Sequence, residues 1–260
     1  MVGIKLFGGI GEQLFQYALA RSLSIRNKTE LFYDLSLLDS NPNWLEKFNT
    51  PKQPNLDVVQ VKLLAEPDDN FHPEFLSMED GILFYGKFQF EKYFEEQSDQ
   101  IRKELVIKDQ LSEDCLEIDS QIRSDMHSGQ IPVSIHIPKS SMDSLKKYYA
   151  HCVEFLSSNF SNLTLYIFSD DVPRCMQEFQ FNAPAVFIDM QGSDHEEIYL
   201  ASLCRHHIIS DEIKSFWHAW LDRRISSFTF APRKYLEHFS ESGMIDRLPD
   251  RWMVFESQED

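Results

Sequence analysis

Apolar residues crowd positions 2–7 and stop at Gly8-Gly9-Ile10-Gly11, after which Leu14, Phe15, Ala18, Leu19 and Leu23 recur at helical spacing. This predicts a strand, a glycine turn and a helix. Residues 31–33 fit a second strand. Residues 41–69, rich in Pro, Asn and Asp, predict irregular connections. Over 91–105, Tyr93, Phe94, Ile101 and Leu105 fit a helix with charge on its other side, in an otherwise loop-heavy middle. Beyond Gly129 the pattern becomes regular. Strands are predicted at 131–137, 163–168, 185–188, 207–209 and 228–230, alternating with helices at 142–160, 172–179, 196–204 and 214–221.

Such alternation argues for an α/β fold with a parallel sheet and helical cover, wound right-handedly. The expected domains are 1–128, an α/β unit, and 129–232, a Rossmann-like unit, with 233–260 a helix and extended segment packing back across both. Ligands of parallel sheets sit beyond the carboxyl ends of the strands. That nominates residues 7–13, 136–141, 169–171 and 210–215, and two such units facing a cleft suit a nucleotide sugar.

Composition narrows this further. The chain has 260 residues, 42% hydrophobic, with 9 Gly and 11 Pro, which excludes disorder and collagen-like repeats. A net charge of −17 and no basic patch argue against a nucleic acid partner. Neither a secretory signal nor an 18-residue apolar stretch is visible, so a cytoplasmic protein without an integral membrane segment is expected. Cys115, Cys152, Cys175 and Cys204 lie far apart and are expected as buried thiols. The sequons at Asn27, Asn159 and Asn162 are expected to be chance matches.

Several segments then carry a resemblance: GGIGEQLFQYALARSL (8–23), FQFEKYF (88–94), VSIHI (133–137), FSDD (168–171), YLASLCRHHIIS (199–210), FWHAWL (216–221) and Ala231-Pro232. In this order they resemble the bacterial and animal α1,2-fucosyltransferases. The resemblance implies a GT-B type glycosyltransferase of two Rossmann-like domains, the first on the acceptor side and the second holding the nucleotide. It implies inverting transfer of fucose from GDP-fucose to a galactoside, with no metal and no cofactor, in the cytoplasm or peripheral to the inner membrane. Gly9, Gly11, Gln13, His136, Lys139, Asp170 and Ser215 are the expected nucleotide-sugar contacts. Without a metal, the protein must itself stabilise the departing diphosphate and accept the acceptor's proton.

Three departures from the family pattern matter. Where the family reads H-x-R-R-G-D-Y, this chain reads His136-Ile137-Pro138-Lys139-Ser140-Ser141-Met142. Pro138 offers no donor, and the point charge of Lys139 does not reproduce a bidentate guanidinium. Where the family reads N-S-T-F-S-W-W-G-A-W-L, the residues from Asp211 to Leu221 place Asp211 and Glu212 at a helix start suited to phosphate. At about 4 Å and an effective dielectric of about 20, each carboxylate–phosphate pair costs roughly 4 kcal/mol, or about three decades of affinity. Lys214 offsets part of that.

Glu12 stands where the family has Asn. It is either the general base or a first-turn acid favoured by the helix dipole. His136 is either a nucleotide contact or a core histidine. Asp170 and Asp171 either face the nucleotide or cap the following helix. His206 and His207 must point to opposite faces of a strand, and with His195, Glu196 and His218 are expected as surface or packing residues. Trp217 and Trp220 are expected as core. The rival readings are a binding protein that has lost catalysis and a transferase with a different activated sugar.

Overall fold

A computed structural model describes residues 1–38, 40–53, 61–189, 192–236 and 247–255. The chain forms two units, Met1–Asp109 with Phe239–Pro249, and Gln110–His238 with Asp250–Asp260.

In the first unit, β1 (Val2–Lys5) is buried on both faces and leads into α1 (Ile10–Arg26). Gly3 has a packing reason, since a side chain there would run into the Phe32 ring. Gly8 has a conformational one: its φ of +77° is the left-handed turn that lets the strand double back into the helix. β2 (Leu31–Asp34), β3 (Lys62–Ala65) and β4 (Ile82–Tyr85) complete a parallel sheet in the order β2-β1-β4-β3. The strand at 62–65 falls inside the segment expected to be irregular. As an edge strand with three of its four residues exposed, it leaves no apolar alternation to read.

The helix expected over 91–105 resolves into 3₁₀ turns at Glu91–Tyr93 and Glu95–Gln97, followed by α2 (Ser98–Glu104). Phe88, Phe90, Tyr93 and Phe94 are all buried, so the FQFEKYF segment is core. Phe88 adopts φ +52°, and the Glu66 carboxylate accepts the N–H groups of Lys87 (2.7 Å) and Phe88 (3.1 Å) there. Two further motif residues, Tyr17 and Arg21, tie α1 to α2. The Tyr17 hydroxyl donates to Glu104 Oε2 (2.5 Å), and Arg21 grips both oxygens of the same carboxylate.

The second unit begins earlier than the expected boundary near Ser128-Gly129. α3 (Glu113–His127), in a stretch where the apolar pattern predicts no element, packs Cys115 and Ile122 against Tyr166, Phe168, Ile188 and Leu200 of this unit. Asp125 accepts the Tyr166 hydroxyl at 2.8 Å, and Glu196 accepts both the N–H and the hydroxyl of Ser112, the N-cap of α3. These contacts bind the helix to the second unit, and the division moves to Asp109/Gln110.

After α3 come β5 (Ile131–His136), α4 (Lys146–Asn159), β6 (Leu163–Phe168), α5 (Val172–Glu178), β7 (Ala185–Ile188), α6 (Asp194–Leu203), β8 (His206–Ile208), α7 (Ile213–Trp220), β9 (Thr229–Pro232) and β10 (Met253–Phe255). All the pairings are parallel, in the order β10-β9-β8-β5-β6-β7. Alternation along the strands separates two cores. Val133, Ile135, Leu165 and Ile167 join Tyr149, Cys152 and Leu156 of α4, while Tyr166 and Phe168 join α3 and α6.

The C-terminal segment gives a piece to each unit: Arg247 donates to Gln89 in the first, and β10 adds a strand to the second. The helix expected after residue 233 begins as a 3₁₀ turn at Arg233–Tyr235, and its remainder, with the acidic tail 256–260, lies outside the described residues. All four cysteines are buried free thiols.

Candidate active site

At the carboxyl edge of the second sheet lies a cavity of about 320 Å³, bounded wholly by residues of that unit. β5 supplies His136 and, just beyond it, Pro138. Ser169 and Asp170 follow β6, and Asp189 follows β7. Asp194 and Glu197 come from the first turn of α6, and Glu212 and Lys214 from the start of α7. The nominated segments 136–141, 169–171 and 210–215 all contribute. Five carboxylates and one lysine thus line the cavity.

The polar groups are tightly organised. Lys214 Nζ lies 2.8 Å from Asp194 Oδ1 and 3.1 Å from Glu197 Oε2. The other oxygen of Glu197 lies 3.2 Å from His218 Nε2 and 3.5 Å from His136 Nε2, close contacts that lack hydrogen-bond alignment. His136 Nδ1 meets the Ser210 hydroxyl at 2.9 Å. Burial favours the neutral acid of Glu197, yet the adjoining His218 ring and the Lys214 charge prevail and hold its carboxyl well below the usual range. Burial also works against the charge of Lys214, and Glu197 and Asp194 overcome it, raising its pKa. The two histidines go the other way: burial depresses both, so they sit as neutral imidazoles between charged neighbours.

Of the expected contacts, His136 and Asp170 line this cavity. The two aspartates divide their tasks. Asp171 caps α5 by accepting the N–H of Arg174 (3.3 Å), while Asp170 faces the cavity and accepts the N–H of Lys139 (2.6 Å). Lys139 is not among the lining residues. Its side chain is 63% exposed and its ammonium lies 3.4 Å from Asp171. Ser215 is not a phosphate seat either: it is wholly buried, and its hydroxyl donates back to the carbonyls of Ser210 (3.1 Å) and Glu212 (2.8 Å). Glu212 turns its carboxylate to the Ser140 hydroxyl (2.7 Å), and burial raises its pKa.

The glycine-turn residues belong to the first unit. Gln13 is completely buried, donates to the carbonyls of Gly8 and Pro42 (both 3.0 Å) and accepts the N–H of Trp44 (3.0 Å). Its amide is spent on holding the turn, which corrects its expected role as a ligand contact. Gly9 is the N-cap of α1, and its N–H donates to Glu12 Oε2 at 3.1 Å; Gly11 is buried within the first turn. Glu12 therefore has the capping task expected of a first-turn acid.

His218, expected as a packing or surface residue, instead belongs to the charged network. Lys214 and His218 are four residues apart on α7, which puts them on one helix face, a spacing that was visible in the sequence. His206 and His207 do separate as expected. His206 stacks near Phe160 and Phe228, whereas His207 bridges Ser134 (2.8 Å) and Asp222 (3.1 Å). Trp217 and Trp220 are fully buried core residues. Among the described residues, no group of three or more His, Cys, Asp or Glu side chains is arranged to hold a metal ion, and no helix is long and apolar enough to cross a membrane.

Comparison with known proteins gives this geometry its context. An alpha-1,2-colitosyltransferase of Escherichia coli is 27% identical over 98% of this chain and 99% of its own length. The O-antigen biosynthesis glycosyltransferase WbnK of Escherichia coli is 22% identical over 95% of this chain and 98% of its own. Among solved structures, the fucosyltransferase NodZ from Bradyrhizobium aligns with a TM-score of 0.54 at 12% identity, covering 84% of this chain and 92% of that one. A family 9 glycosyl transferase from Veillonella parvula aligns at 0.51 and 10% identity, over 98% and 85%. These likenesses show a GT-B type fold. Residues 77–245 match glycosyl transferase family 11, and the chain belongs to that family as a fucosyltransferase-like glycosyltransferase.

Proposed function

We propose that this enzyme transfers a 6-deoxyhexosyl group from its GDP-sugar to a hydroxyl of a galactoside, with inversion at the anomeric carbon. Fucose is the first donor sugar to test. The observation that carries the reading is the cavity at the carboxyl edge of the second sheet, where His136, Asp170 and Lys214 converge. A NodZ structure soaked with GDP-fucose aligns with this chain at a TM-score of 0.52 and supports the choice of nucleotide. In the reaction the acceptor oxygen forms its bond to the anomeric carbon as the bond from that carbon to the diphosphate oxygen breaks. The nucleoside diphosphate leaves with the electron pair, and the acceptor's proton passes to a carboxylate, for which Glu12 is our candidate. No metal or cofactor is assigned a step, and the expected rate is unchanged by EDTA. We place the protein in the cytoplasm or on the inner face of the membrane.

A second donor is favoured by one observation, the 27% identity with a colitosyltransferase along nearly the whole chain. Colitose is the 3-deoxy counterpart of fucose, so both nucleotides present the same diphosphate.

The test is a titration of GDP, GDP-fucose and GDP-colitose, read by calorimetry and melting shift, with a transfer assay on galactosides and the variant Pro138→Arg. Pro138 lines the cavity, and a guanidinium there is expected to tighten GDP by about tenfold or more through one charge-assisted hydrogen bond. A stable protein that binds neither sugar nucleotide and transfers nothing would instead be a member of the family that has lost its chemistry.

A further inference from the structure

We propose that Lys214 is the cation that receives the donor's diphosphate, and that Asp194 competes for it in the unliganded enzyme; this rests on the nucleotide-sugar reading above. Among the described residues, Lys214 is the one lysine or arginine that lines the cavity. Lys139, the cation expected from the sequence, points its ammonium at Asp171 instead. A departing diphosphate needs a compensating charge, and Lys214 stands where one is required.

The way Lys214 is held explains how it serves. Its two carboxylate partners are unequal. Glu197 is buried, with one oxygen held by Lys214 at 3.1 Å and the other lying 3.2 Å from His218 Nε2. Asp194 is 34% exposed and meets the same ammonium at 2.8 Å. Water can take over the solvation of Asp194 but not of Glu197. When a diphosphate enters, Lys214 releases Asp194, keeps Glu197 as its anchor, and swings its flexible four-carbon stem toward the phosphate oxygens. The start of α7 adds the positive end of its dipole, and Glu212 at the N-cap directs its side chain to Ser140 without capping the helix. Glu197 and His218 are thus positioning residues, and Lys214 is the group that touches substrate.

The experiment measures binding of GDP, UDP and ADP to the full chain by calorimetry for the wild type, Lys214→Met, Asp194→Asn and the double variant, with circular dichroism to check folding. Lys214→Met is expected to weaken GDP by about thirtyfold or more, the loss of one charged contact. Asp194→Asn is expected to tighten GDP by about tenfold, because it removes both a competitor and a repelling charge. The double variant should keep only the share due to the lost repelling charge, a gain over Lys214→Met clearly smaller than the one Asp194→Asn gives with Lys214 in place.

With a merely structural lysine, Asp194→Asn would tighten GDP by the same factor whether or not Lys214 is present. The proposal falls if Lys214→Met binds as well as the wild type, or if the double variant keeps the full gain. Should Lys214→Met fail to fold, Lys214→Gln replaces it in the same cycle, and absence of tightening in Asp194→Asn overturns the proposal in either case. Lys214-dependent binding of UDP or ADP in place of GDP would sustain this role while overturning the GDP-sugar reading. Binding of no nucleoside diphosphate would overturn both.

Discussion

His136 and His218 meet edge to face, ring centroids 4.9 Å apart, and both direct Nε2 toward one oxygen of Glu197. The neutral ring of His136 lines a strongly acidic cavity, and the neutral ring of His218 packs against it from another element. Their neutrality is a consequence of burial, and it has a cost in acid.

Burial depresses His136, His206, His207 and His218 from their ordinary value of 6.5, His206 to about 4. The unfolded chain binds these protons before the folded one does, so stability falls as pH drops below about 6.5. The slope is up to about 1.4 kcal/mol per pH unit for each histidine. The share from His206 is complete near pH 4. Urea melts between pH 7.5 and 4.5 should show this decline, and a midpoint unchanged from pH 7 to 5 would refute it.

Arg21 and Tyr17, both within the 8–23 motif, serve the join between α1 and α2 through Glu104. Burial works to raise the Glu104 carboxyl, and the hydrogen bonds from Arg21 and Tyr17 prevail and lower it. Its stabilising contribution is therefore present at neutral pH and lost as pH falls through its depressed folded value. Arg21→Met should cost about 3 kcal/mol by leaving a largely buried carboxylate unpaired. Chemical denaturation checks it, and a loss below about 1 kcal/mol would refute the structural role.

Gln13→Ala removes three hydrogen bonds at a site with no solvent access. The expected destabilisation is about 2–4 kcal/mol, from backbone groups left unpaired, with GDP affinity of the folded protein unchanged. A weakened GDP titration with an unaltered melt would restore Gln13 as a ligand contact.

Glu12 is assigned two tasks that substitution separates. Gln keeps an acceptor for the Gly9 N–H but cannot take a proton, so Glu12→Gln should retain nearly the full melting temperature and lower kcat by about 100-fold or more. Glu12→Ala should in addition lose about 1 kcal/mol of stability with its cap. An active Glu12→Gln variant would leave only the capping role.

The α/β alternation after residue 129 was legible because the central strands are buried on both faces, between two cores, and so read as short apolar runs separated by helical spacing. The opening strand–turn–helix was legible for the same reason, with Gly8 marking the left-handed turn. The helix over 113–127 was not, since only Cys115 and Ile122 are buried along it, too few to declare a face. Ser215 and Gln13 have the chemistry of ligand contacts, yet they are turned inward and satisfied by backbone groups, Ser215 within its own turn and Gln13 by Gly8, Pro42 and Trp44. The charged cluster lay furthest from sight. Asp194 and Glu197 read as ordinary first-turn acids of one helix, Lys214 and His218 as polar residues of another, and His136 as the end of a strand nearly 60 positions earlier. Spacing along a chain reports which face of an element is buried. Which buried charges meet is set by how the parallel strands order themselves and bring those helix starts to one edge.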